Sequence, residues 1–283
     1  MEHPPVLPID AELHPWNRDF EWSLPAGPCA QLDTEQRRRF DEDGWLVVPD
    51  VIAGAALAQL VAELDGLQAE VEERLARRQN ERILISERGA ITFAVHPVLR
   101  SDAARAFARH PVLVGLAADL LGPDVNFYWD QAVYKQPEKP RRFPWHQDSG
   151  YAFVEPQHYL TCWLALTDAT VDNGCPWVLP GGHRSGTLLH RWVDPLGLEC
   201  FGAAAGAVPA EVGAGGAVVF SSLTPHYTGP NTTPSVRKAY IAQYAPVGIR
   251  ILAGDPAAGA PVSRASAEDP DRQFPVLRGG KPV

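Results

Sequence analysis

The segment "VVFSSLTPHYTGPNTTPSVRKAYIAQYAP", residues 218–246, holds an apolar run, a loop rich in Gly, Pro, Asn and Thr, and a second run of alternating pattern. Two antiparallel strands joined by a turn would read this way. With the turn centred between Thr232 and Thr233, Thr228 falls opposite Arg237 and His226 opposite Ala239. Residues so opposed have β-carbons roughly 5 Å apart. The two-residue period then places His226 and Thr228 on one face, and Arg237, Ala239 and Ile241 on the matching one. An imidazole, a hydroxyl and a guanidinium are therefore expected to project together into an interior.

The same texture extends back to Gly122. "VNFYWDQAVYK", "LTCWLALTDA", "CPWVLP" and "GGAVVFSS" are short apolar or alternating runs separated by Gly, Pro, Asn and Asp, the pattern of an antiparallel sandwich or barrel. Upstream the period changes. Asp33 and Thr34 offer an N-cap for a short helix closed by Gly44, and "WLVVP" follows as a strand. From Ala55 to about Gln79, apolar residues recur at three- and four-residue intervals, which predicts an amphipathic helix. A further helical stretch over 101–121 is interrupted by Pro111. The expected plan is one domain: a proline-rich arm (1–32), a mainly helical part (33–122), a β core (123–250) and an irregular tail (251–283).

The chain of 283 residues is long enough to bury a large core, and its 45% hydrophobic and 21% charged composition is that of a globular protein. A formal charge of -9 gives no general attraction for nucleic acid or anionic membranes, so neither is expected as a partner. Cys29, Cys162, Cys175 and Cys200 form no Cys-x-x-Cys pair, which fits a reducing cytoplasm. The N-terminal stretch has prolines and acids where a signal peptide has a basic and then an apolar run, and no segment approaches ~20 apolar residues.

Within "FPWHQDSGY" (143–151), His146 and Asp148 lie two residues apart. On an extended strand, side chains at that spacing leave the same face about 6 to 7 Å apart and can converge on one ion. The pair alone is also compatible with a strand-end histidine beside a turn aspartate. His226 supplies a third ligand. Two histidines and one carboxylate form the facial set of non-haem iron(II) oxygenases, with three coordination positions open. In the chemistry this set usually supports, 2-oxoglutarate fills two of those positions and O2 the third. An inward-facing arginine needs an anion, and its planar fork suits a carboxylate. Iron(II) and Arg237 carry three positive charges, against three negative charges on Asp148 and the two carboxylates of the cosubstrate, so a closed site would be near neutral.

His146, Asp148, the distal His226 with Thr228 two residues on, and Arg237 eleven residues on resemble the phytanoyl-CoA dioxygenase (PhyH-like) family of iron(II)/2-oxoglutarate-dependent oxygenases. "CWLALTDATVDNGCPWVLPGGHRSG" is similar to that family's tryptophan strand, Asn-Gly turn and Pro-Gly-x-His turn, and "FDEDGWLVVPDVI" to its N-terminal start; the likeness covers roughly residues 36–246. It implies a mainly β fold, a double-stranded β-helix (jelly-roll, cupin-like) core with helices packed outside. It also implies iron at His146, Asp148 and His226, the far carboxylate of 2-oxoglutarate on Arg237 and Thr228, and Trp163 close to the cosubstrate. Related halogenases lack the carboxylate that Asp148 provides, which disfavours halogenation here. Gly182 stands where serine is more usual, Trp177 where smaller residues are common, and Thr228 where serine is frequent.

Other polar residues have plainer readings. His183, His190 and His158 suit turn or surface positions, with substrate contact an alternative for His158. Gln131, a further candidate for contact with the cosubstrate, and Lys135 alternate in "DQAVYK" and face either the cavity or a solvated edge. Lys139, Arg141 and Arg142 read as a solvated loop, or as a greeting for an acidic substrate. Asp168 and Asp172 read as turn residues. Tyr151, Phe153, Trp177 and Trp192 suggest an apolar pocket for a lipid-like or natural-product substrate. The expected activity is hydroxylation of a small molecule with release of succinate and CO2. Desaturation, epimerisation or cyclisation by the same iron chemistry, a zinc hydrolase and a non-catalytic binding barrel are the alternatives.

Overall fold

Asp33 accepts a hydrogen bond from the Gln36 backbone N–H at 2.7 Å, and the Gln36 side chain accepts from the Asp33 N–H in return. This reciprocal cap starts α1 (Thr34–Asp43), and Gly44, at φ 79, ends it in the left-handed conformation that glycine adopts without a Cβ penalty. The computed structural model describes residues 7–283. The first six residues of the expected arm lie outside the described residues. β1 (Trp45–Val48) and α2 (Gly54–Ala76) follow, then the short strands β2 (Arg82–Ile83), β3 (Ser86–Glu87) and β4 (Ile91–Val95). Helices α3 (Asp102–Phe107) and α4 (Pro111–Leu121) come next, with Pro111 in the first turn of α4, where its missing N–H costs nothing.

The β part comprises β5 (Val125–Lys135), β6 (Phe143–His146), β7 (Val154–Glu155), β8 (Leu160–Ala165), β9 (Pro176–Val178), β10 (Arg191–Val193), β11 (Gly197–Glu199), β12 (Val208–Pro209), β13 (Ala217–Ser221), β14 (His226–Thr228) and β15 (Arg237–Pro246). It ends with β16 (Arg250–Ala253), β17 (Ser263–Ser266), β18 (Phe274–Arg278) and β19 (Lys281–Pro282). A large sheet runs β1-β13-β8-β15-β5-β4-β3-β2, with β18 added on β5, and a small one runs β12-β9-β14-β6. The architecture is a mainly β jelly-roll of two sheets rather than a closed barrel, with helices packed outside.

Alternation sorts the side chains of the large sheet. Tyr240, Ala242, Tyr244, Cys162, Leu164 and Val219 pack outward in one core with Leu60 and Leu64 of α2 and Leu116 and Leu120 of α4. Trp163, Ala165, Val218, Phe220 and Ala239 point inward and form a second core. The one polar residue in the buried stripe of α2, Gln68, donates to the Ala132 carbonyl at 2.8 Å. Pairing that amide satisfies a group that would otherwise be costly there.

Three expectations need correction or refinement. The two runs of 218–246 are not hairpin partners: β14 lies between β9 and β6 in the small sheet, and β15 between β5 and β8 in the large one. His226 faces His146 and Val178 across the ladder, while Ala239 faces Val133 and Ala165. A ten-residue strand buried on both faces needs long neighbours on both edges, which a three-residue strand cannot provide. Residues 229–236 instead cross from one sheet to the other. Second, β2 to β4 lie within the mainly helical part, between α2 and α3, and extend the large sheet beyond β5. Third, the tail is not irregular: β18 pairs with β5 and buries Val276 and Leu277. That run is too short to signal a strand by itself and gains its burial only by docking on β5.

The arm is tied down at Asp119 of α4, whose carboxylate accepts the backbone N–H groups of Ala30, Gln31 and Leu32 at 2.9, 2.8 and 2.8 Å. Bonds to a charged acceptor are the stronger kind. Asp119→Ala is expected to lower stability by about 2 kcal/mol, read as a fall in the urea midpoint at unchanged slope; an unshifted midpoint would show that the arm is not held there.

Candidate active site

β6 ends at His146, Gln147 is still extended at φ -108 and ψ 144, and Asp148 opens a tight helical turn. The strand alternation therefore persists just long enough for His146 and Asp148 to leave one face, as their spacing predicts. His226 is the Cα partner of His146 in the adjacent strand. Each imidazole has its Nδ1 2.9 Å from a backbone oxygen, Pro144 for His146 and Thr224 for His226. Those carbonyls fix the tautomer with a bare Nε2. Both Nε2 atoms lie 3.8 Å from Asp148 Oδ1. An ion about 2.0 to 2.2 Å from each ligand atom fits between points so spaced. Burial and the second imidazole push the His146 pKa well down, which favours the neutral, ligating form. Among the described residues, these three form the one group of His, Cys, Asp and Glu side chains that could hold an ion.

The other oxygen of Asp148 is engaged. Oδ2 accepts from Thr161 Oγ1 at 2.5 Å and Gln243 Nε2 at 3.0 Å. Thr161 and Gln243 are Cα partners on the inner faces of β8 and β15. With Oδ2 held this way, the carboxylate presents a single oxygen to an ion. Neither residue was singled out in the sequence, although the signal was there: Gln243 continues the Arg237, Ala239, Ile241 face, and Thr161 shares a face with Trp163.

Arg237 is only 1% exposed. Its Cζ lies 5.1 Å from the Trp163 ring, Nη1 reaches the Val133 carbonyl at 3.4 Å, and its buried Nε has no partner. Burial pushes its pKa down to about 9, the direction taken by a cation that lacks a counter-anion. Thr228 is not its hairpin partner. The two are brought together by Lys135, the Cα partner of Arg237, whose Nζ donates to the carbonyls of Thr228 and Arg141 at 3.0 Å each and to that of Gly229. Lys135 is therefore buried, not at a solvated edge. Burial and the neighbouring Arg237 push its pKa well down, while the three carbonyls use all three donors of the ammonium form. Gln131 shares a cross-strand row with Ile241 and Trp163 and so belongs to the inner face.

The phytanoyl-CoA dioxygenase (PhyH) family model matches residues 40–239. The chain belongs to this family. A probable phytanoyl-CoA dioxygenase of Caenorhabditis elegans is 27% identical over 240 residues, covering 76% of this chain and 75% of the relative. L-proline trans-4-hydroxylase of Streptomyces griseoviridis is 29% identical over 155 residues, 53% of this chain and 55% of that one. Among solved structures, EvdO2 from Micromonospora carbonacea var. aurantiaca complexed with 2-oxoglutarate is 26% identical, with a TM-score of 0.58 over 81% of this chain and 96% of that one. No described helix is long and apolar enough to cross a membrane.

Departures from the usual PhyH pattern find local reasons. A Cβ on Gly182 would lie 2.8 Å from Pro225 Cδ, so the turn before His226 packs too closely for serine. Trp177 pairs with Tyr227, and their rings stack on the face of the small sheet away from His226. Trp177 is therefore not a pocket residue. Phe153 packs on His14 and Trp16, and Trp192 is 51% exposed, which leaves Tyr151 as the one of the four aromatics beside the site, its ring 5.8 Å from that of His146. His183 lies in a tight helical turn (Gly182–Ser185) but is fully buried there, against Trp22 and the Asp41 carbonyl, rather than on the surface. His190 accepts the Gln147 N–H through Nε2 at 2.8 Å and steadies the ligand loop from behind. His158 bonds Ser221 Oγ through Nδ1. Asp168 does not turn its own segment: its Oδ1 accepts the Ala214 N–H at 2.8 Å and so ties it to the loop before β13.

Gln243→Leu is expected to weaken iron(II) affinity by about 10- to 100-fold with little change in the far-ultraviolet dichroism, measured by competition with a chelator. An unchanged affinity would mean that the Oδ2 bonds do not orient Asp148.

Proposed function

We propose that this protein is an iron(II)- and 2-oxoglutarate-dependent oxygenase that hydroxylates a small-molecule substrate, releasing succinate and CO2. The observation that carries the reading is Arg237: a buried guanidinium with an unpartnered Nε, inside the same sheet-lined interior as a two-histidine, one-carboxylate set. A hydrolytic metal site accounts for the ligands but gives that cation nothing to bind. A dicarboxylate satisfies both ends at once.

In this reading His146, His226 and Asp148 hold iron(II) through Nε2, Nε2 and Oδ1, leaving the remaining positions for the cosubstrate and O2. Bound iron supplies the oxygen activation, coupled to decarboxylation of 2-oxoglutarate, that attack on a C–H bond requires. The chain supplies placement. Arg237 offers its fork to the far carboxylate, Thr228 adds its hydroxyl, and Lys135 holds the Thr228 and Gly229 backbone against the Arg237 strand. Trp163 walls the cosubstrate on the side where its ring meets Arg237, and Gln131 lines the same row. The apolar lining of Val218, Ala239 and Phe220 excludes water, which strengthens each polar contact made inside.

Purified protein given iron(II), 2-oxoglutarate and oxygen is expected to form succinate. Arg237→Ala should raise the 2-oxoglutarate dissociation constant about 100-fold, roughly 3 kcal/mol, and leave iron affinity as it was. An equal loss of both would show that Arg237 supports the fold rather than the anion.

A further inference from the structure

The β2–β3 hairpin turns through Leu84 and Ile85. Leu84 has φ 53, the left-handed conformation that glycine takes at the first position of such two-residue turns, and its side chain is 74% exposed. One residue thus combines an unfavourable backbone with an unburied apolar side chain. The tip is nonetheless held in place: the Ile85 carbonyl accepts from Arg141 at 2.9 Å. A Cβ on Gly197 would fall 3.0 Å from Ile85 Cγ2 and 3.1 Å from the Tyr151 hydroxyl, so the tip, β11 and Tyr151 converge. Tyr151 and Phe143 both contact the His146 ring, and Phe143 also meets Phe93 of β4. Val95, on the inner face of β4 and in register with Gln131, is 51% exposed.

The cations around this mouth are spoken for. Arg82 pairs with Asp194 at 2.7 Å, Arg141 with Glu87 at 2.6 Å and Arg142 with Glu199 at 2.6 Å. A phosphate or carboxylate arriving here would have to displace an existing partner, on a chain whose net charge is already -9.

We propose that the substrate is an uncharged, predominantly apolar molecule, gripped between Leu84 at the hairpin tip and the Tyr151, Phe143 and Val95 side of the mouth. The proposal rests on the oxygenase reading and deepens it. It disfavours a coenzyme A thioester or a zwitterionic amino acid at this position. The strained, exposed leucine is explained as a substrate contact: local cost is tolerated where binding recovers it.

The test is anaerobic calorimetry on protein loaded with iron(II) and 2-oxoglutarate, with progesterone and 1-decanol as neutral probes, and palmitoyl-CoA and L-proline as charged ones. At least one neutral probe is expected to bind, and neither charged compound should bind at concentrations up to about 1 mM. Leu84→Gly should melt no lower than the wild type, because glycine suits that turn, yet weaken the neutral probe about tenfold. Three results overturn the proposal: no binding of either neutral probe, tighter binding of a charged compound, or Leu84→Gly binding as well as the wild type. The wild-type 2-oxoglutarate titration, run first, reports separately on the oxygenase reading.

Discussion

β15 is buried on both faces, and the site follows from that constraint. Its outer residues, Tyr240, Ala242 and Tyr244, are committed to the helices, so strict alternation leaves Arg237, Ala239, Ile241 and Gln243 no direction but inward. A slip of one residue would send Arg237 into the helical core and lift Gln243 away from Asp148. The hydrophobic pattern of this strand therefore sets where the cation and the Asp148 clamp lie. Packing and chemistry share one register.

The small sheet meets this arrangement from the other side. It brings only short strands, yet the β6–β14 pairing is enough to set two imidazoles side by side, with ring centroids 4.1 Å apart. What couples the sheets is polar. Lys135 reaches from β5 to the carbonyls after β14, and Gln243 and Thr161 reach from the large sheet to Asp148. Buried polar groups are costly unless satisfied, so these bonds fix the sheets at the one separation that satisfies them.

The His146–Asp148 pair was legible because its signal is local: two-residue spacing on an extended segment survives whatever the sheet does. His226 was reached through a hairpin that does not form and through the resemblance to the family, and it meets the pair because β14 lies beside β6. The pairing of β14 was not legible. A loop with turn residues between two runs is equally compatible with a hairpin and with a crossing between sheets, and the choice is made by the neighbours available to β15 on both edges. The same holds for β18, whose partner β5 lies about 150 residues upstream in register terms that no local pattern carries. Lys135 was ambiguous for a related reason: an alternating lysine reads as solvated until a second sheet closes over it. Arg237 was placed inward through a wrong pairing, and its inward position stands all the same because it depends on the alternation of its own strand alone.

Chemistry and selectivity are carried by parts of different rigidity. His146, His226, Thr161 and Gln243 sit in ladders whose neighbours are buried, so shifting any of them breaks backbone pairing as well as a contact. The β2–β3 hairpin joins β4 through the Glu87–Ile91 pair, is held at its tip by Arg141, and is otherwise fastened by exposed ion pairs such as Arg82–Asp194, whose side chains are 27% and 63% exposed, and Lys139–Glu87, 47% and 21% exposed. Pairs of that kind contribute from zero to about 1 kcal/mol each. Substitution at the hairpin can therefore reshape the mouth without disturbing the metal ligands or Arg237. The same strand ends could in this way serve molecules of different shape, with the roof rather than the floor deciding which one enters.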